Sequence, residues 1–149
     1  MNDPLLSTLT EEHAAIEAFA SLLALEQKAL ASKAGLATLP TIVGQKTELT
    51  QRLAALEKIR DAELVALGMP RGRKGIEMAC KGNAQRENQW TLLRHSTERA
   101  RVANLRTGMM IRTRMEHNRR ALAILRGETG GGGAMGLYGP DGRVPAFGR

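Results

Sequence analysis

Leu9, His13, Ile16, Ala20, Leu23, Gln27 and Leu30 follow one another in alternating steps of four and three along the opening segment of the chain. That spacing is the narrow seam of an α-helix packed lengthwise on another helix. A strand cannot use it, because strand side chains alternate with a period of two. Asp3 stands as N-cap with Pro4 at the first helical position, and Gly35 offers a C-terminal stop. A first helix is therefore predicted over about residues 4–33, roughly 45 Å long at 1.5 Å per residue.

The pattern recurs. A second helix is expected from near Pro40 to a stop at Gly68, with Ile42, Leu49, Leu53, Leu56, Ile59, Leu64 and Leu67 along its stripe. A short link between two long helices favours an antiparallel hairpin. Residues 69–82 are rich in glycine and read as a connector with one weak turn around Ile76–Cys80. From about Asn83 the longest segment begins, with Gly127 as its stop. Its inward positions are Leu93, Thr97, Ala100, Asn104, Thr107, Ile111, Met115, Asn118, Leu122 and Leu125, with one extra step of four after Ile111. The expected fold is all-α: an elongated antiparallel helical hairpin plus a long third helix over residues 1–126, then a flexible Gly-rich tail over 127–149.

Composition agrees with helices. Aromatic residues make up only 3% of the chain, so Leu, Ala, Ile and Met supply the apolar surface, a diet that strands do not favour. Cys80 is the single cysteine, which excludes an internal disulfide and suits a reducing compartment. No apolar run approaches the roughly 18 residues of a membrane span, and no signal peptide opens the chain. A cytoplasmic protein with no membrane insertion is expected.

Charge is unevenly placed. Residues 1–68 carry six Lys/Arg against nine Asp/Glu, whereas residues 69–126 carry fourteen against four. Either the two parts lie against each other, or the basic part meets an acidic partner. Nine arginines decorate residues 94–126 and could grip a phosphate backbone. They wrap round the helix instead of forming one stripe, and Trp90 is the only tryptophan for base stacking. A solvated face is the better reading; a basic helical protein associated with nucleic acid is the alternative.

Catalytic chemistry finds no support. His13, His95 and His117 lack partners at metal-ligand spacing. Gly130–Gly133 lacks the Lys-Ser/Thr of a phosphate loop. No enzyme activity, metal or other cofactor is expected.

The third segment is oddly built. Asn104, Thr107 and Asn118 occupy seam positions where Leu or Ile is expected, Gly108 weakens the helix, and Met109, Met110 and Met115 cluster nearby. Two readings stand. The asparagines fix register while the methionines fill gaps, or the surface is kept adaptable to receive another helix.

"NLRTGMMI" followed by "HNRRALAIL", a glycine-rich spacer and "LYGPDGR", set behind a helical hairpin and connector, resembles the FlgN family of flagellar export chaperones. Asn104, Gly108 and Ile111 match an N-x-x-x-G-x-x-I pattern; Asn118, Ala121–Leu125 and Leu137–Arg143 follow in step. The resemblance implies a cytoplasmic, non-enzymatic chaperone that binds hook-associated (hook-filament junction) proteins and delivers them to the flagellar export apparatus. It implies that the C-terminal region binds the client, with no nucleic acid involved. Met109, Ile111, Met115, Leu122 and Leu125 are then the expected apolar contacts, Asn104 and Asn118 the polar edge. Leu137 and Tyr138 form a tethered turn that closes over the site or engages the export machinery. A homodimer that exchanges the long helix is left open.

Overall fold

Asp3 and Asn83 each begin a helix by accepting a backbone N–H: Asp3 Oδ1 from Leu6 at 3.2 Å, and Asn83 Oδ1 from Arg86 at 3.1 Å. The computed structural model describes residues 2–127. In that range the chain forms helices and no strand. The expected tail, with its Leu137–Tyr138 turn, lies outside the described residues.

The first helix, α1, spans Pro4–Leu30, ending on the last residue of its seam and short of the expected residue 33. Gly35 is not its stop. The chain passes through a 3₁₀ turn, Ala34–Thr38, where Gly35 crowds α1 so closely that an added Cβ would sit 2.6 Å from the Ala29 Cα. α2 follows over Leu39–Ala66. Its end is a Schellman turn: Gly68 takes φ +78°, its N–H donates to Val65, and the Met69 N–H donates to Leu64 at 2.9 Å.

The expected loose connector is instead an ordered helix, α3 (Arg73–Cys80). Ile76, Ala79 and Cys80 are buried with Leu5, Leu9, Leu64 and Leu93 in the larger core cluster. Burial pushes the Cys80 thiol up from its ordinary value, which keeps it protonated and unreactive. Gly75 makes the packing feasible, since a Cβ there would fall 1.6 Å from the Pro70 carbonyl oxygen. Gly75, which read as a loop signal, is a close-approach position, whereas Gly72 and Gly82 take positive φ with no atom within 4 Å of an added Cβ.

α4 runs unbroken over Ala84–Arg126, 43 residues and hence about 65 Å. Gly127 stops it at φ +68°.

α1 is the central element. It runs antiparallel to α2, tied by Glu12–Arg60 at 2.7 Å and Glu26–Lys46 at 2.9 Å. Both carboxylates are buried, and each basic partner lies near an aromatic ring: Arg60 by Trp90, Lys46 by Phe19. Burial pushes the Glu12 carboxyl up, with Arg60 opposing. On its other side α1 runs parallel to α4: Asp3 pairs with Arg86 at 2.8 Å near one end, and Gln27 bonds Thr107 near the other. α2 and α4 bring no Cα atoms within 8 Å of each other. The three long helices thus form an open layer in which α2 and α4 flank α1.

Candidate functional site

What α4 presents depends on how far α1 accompanies it. In the first half, Leu93, Ser96, Ala100 and Thr107 are buried. Thr97, expected inward, is exposed, and Ser96 takes its place. The Ser96 hydroxyl lies 3.1 Å from His13 Nε2 and accepts from Arg99, which also reaches Glu17 at 3.6 Å. His13 is thus used in packing.

Thr107 sets the register that the sequence suggested for asparagines. Gln27 Nε2 donates to the Thr107 hydroxyl and to the Ala103 carbonyl, each at 3.1 Å. Such a matched polar pair, with Thr107 buried and Gln27 half-buried, is the device by which helix seams fix alignment. Asn104 beside it is only half-buried, and Gly108 is buried.

Ile111 is the last α4 residue buried in this interface. It packs on Leu30 in the smaller core cluster, with Val43, Met110 and Met115 partly buried against it. One turn on, Arg114 Nη1 donates to the Leu30 carbonyl oxygen at 2.5 Å. Leu30 ends α1, so this bond caps its C-terminus with a cation on the favourable side of the helix dipole.

Beyond that point α4 continues alone. Residues 116–126, about 16 Å of helix, are exposed apart from Ala123, which is half-buried. At 3.6 residues per turn, Ile111, Met115, Asn118, Leu122 and Leu125 share one face. It is the face that α1 covers nearer the N-terminus. Leu122 is 37% exposed and Leu125 82% exposed. Three expected inward residues, Asn118, Leu122 and Leu125, are therefore at the surface, because the helix that should cover them has ended. Met109, 60% exposed, lies on the opposite face with Leu105 and Val102. The structure gathers Ile111, Met115, Asn118, Leu122 and Leu125 on one stripe; it leaves Met109 off that stripe and Ile111 inside the molecule.

Sequence reasoning missed a second feature. The separation of α2 from α4 leaves a groove of about 690 Å³ above α1, lined by Ile16, Leu53, Trp90 and Leu93 with the Glu12–Arg60 pair at its floor. The sequence hid it, because of the two buried rows of α1 only Leu5, Leu9 and Leu23 are apolar, while Thr8, Glu12, Ala15 and Glu26 form a mostly polar one that reads as a solvated face. A helix with two buried rows has two neighbours.

No described helix is long and apolar enough to cross a membrane. Among the described residues, no group of three or more His, Cys, Asp or Glu is placed to hold a metal ion. Comparison with known families finds a match to the family described as FlgN protein over residues 1–146. No match was found among curated proteins or among solved structures.

Proposed function

Since the chain belongs to the FlgN family of flagellar export chaperones, we propose that it binds hook-associated proteins in the cytoplasm before secretion, and that the distal part of α4 is where it holds them. One observation supports the location above all. The apolar face of α4 runs on through Met115, Leu122 and Leu125 after its internal partner has stopped at Leu30. An amphipathic helix from the client would take up the line that α1 leaves, in the helix-in-groove mode. Ile111 anchors the covered end of this stripe and Asn118 offers hydrogen bonds along it, whereas Asn104 and Gly108 lie in the stretch that α1 already covers. Met109 would meet only a client that wraps beyond the stripe. Leu137 and Tyr138 are assigned to closure over the client or to docking on the export apparatus.

A co-purification experiment tests this reading. Met115→Glu with Leu122→Glu, co-expressed with the C-terminal fragment of a hook-associated protein, should lose the complex. Helix content by circular dichroism should hold, because neither side chain is fully buried. Undiminished co-purification would move the binding site elsewhere.

A further inference from the structure

Beside the distal stripe runs a row of charge. Arg112, Arg119 and Arg126 are spaced by seven residues, which places them in one line along the flank of Met115, Leu122 and Leu125. All three are exposed, and none pairs with a described residue. The one acid of this stretch, Glu116, stands four residues after Arg112 and three before Arg119 but pairs with Arg120, at 2.8 Å. Residues 112–126 contain five arginines against that single acid.

The chain supplies its own example of what such a surface accepts. α1, which covers the same face earlier on, carries four glutamates against one lysine. Its flanks pair with α4 through Asp3–Arg86 and Glu17–Arg99. In paired helices, charges flanking an apolar seam decide which partner is accepted and in which register.

We propose that the helix seated on distal α4 is acidic: an amphipathic segment whose apolar face meets Met115, Leu122 and Leu125 and whose Asp or Glu side chains meet Arg112, Arg119 and Arg126. This rests on the client-binding reading above and names the chemistry of that client. A second copy of the chain fits poorly, since two such arginine rows would face each other with like charge. A phosphate backbone would satisfy the arginines but leave the leucines uncovered.

Three synthetic peptides with one apolar seam and Glu, Gln or Lys at the flanking positions are titrated against the full chain by fluorescence anisotropy. Three rim pairs of modest strength should favour the Glu peptide over the Gln peptide by about tenfold in affinity. That advantage should shrink several-fold between about 50 and 300 mM salt. Arg112→Glu, Arg119→Glu and Arg126→Glu together should turn the preference to the Lys peptide; the side chains are exposed, and an unchanged melting temperature checks the fold. Equal binding of all three peptides overturns the proposal. So does concentration-dependent dimerisation through the same arginines, or displacement of the Glu peptide by a short duplex. Leu122→Ser with Leu125→Ser separates the two ideas. If it abolishes client capture while the peptides show no charge preference, the site stands and its acidic occupant does not. Retained client capture means the site itself is wrong.

Discussion

Asp3 has two tasks that different substitutions separate. Its carboxylate caps α1 and also holds Arg86 through both oxygens, at 2.8 and 3.1 Å. The Arg86 hydrogen bond keeps the carboxyl below its ordinary value of 3.8. Asp3→Asn keeps the cap and should cost about 1 kcal/mol; Asp3→Ala loses both and should cost about 2 kcal/mol. Because the folded-state value is lowered, the ion pair stabilises fully above the unfolded value and fades as pH falls through the folded one. Urea midpoints of the parent and Asp3→Asn should therefore differ at pH 7 and converge in acid. Glu12, pushed up by burial, has the opposite slope, so only the difference between the two proteins isolates Asp3. Glycines offer a second contrast. Gly75→Ala drives a methyl into the Pro70 carbonyl and should cost about 1–3 kcal/mol. Gly44→Ala, with nothing within 4 Å of the new Cβ, should stabilise α2 by about 0.5–1 kcal/mol. Thermal melts of the two variants should move in opposite directions.

α4 is one continuous helix with two environments, and the boundary falls where α1 ends. Ile111 and Leu125 are both apolar seam residues of the same sequence pattern, yet Ile111 is buried on Leu30 and Leu125 stands in solvent. Ile111→Ala should cost about 2–4 kcal/mol of unfolding free energy, whereas Leu125→Ala should stay within about 0.5 kcal/mol. Denaturant titration decides between this and a stripe that is uniformly covered. α3 teaches the reverse lesson. Its glycine-rich flanks read as loop, but Ile76, Ala79 and Cys80 close the core between the end of α2 and the start of α4. A short segment needs no long periodic pattern when a buried face is waiting for it.

The molecule as a whole is well packed at the end that joins α1, α3 and the start of α4, and bare at the far end of α4. Amide hydrogen exchange should follow that gradient. Residues 116–126 should exchange fast and residues 93–111 slowly, since local opening is easiest where few buried contacts hold the helix. Addition of a client fragment should slow exchange in 116–126 selectively. Uniform protection along α4 before any client is added would contradict the open end. The charge division is met only in part across the layer: α1 pairs with Arg60 and Lys46 of α2, within the acidic part, and with Arg86 and Arg99 of the basic α4, whose distal arginines stay at the surface.

Periodicity, caps and composition alone determined that the chain is helical, that its first two long helices form a hairpin, and where α2 and α4 stop. These are local properties: a Gly at positive φ or an Asp at an N-cap acts on its own few residues. The last third also carried the family resemblance that the match over residues 1–146 supports. Tertiary structure decided the rest. A seam tells which face of a helix is apolar; it does not tell what covers that face. Asn118, Leu122 and Leu125 continue the rhythm of Leu93 and Ile111, and only the early end of α1 turns the former into surface and the latter into core. The separation of α2 from α4, the ordered α3 and the Gln27–Thr107 register pair depend likewise on distances between residues far apart in the chain.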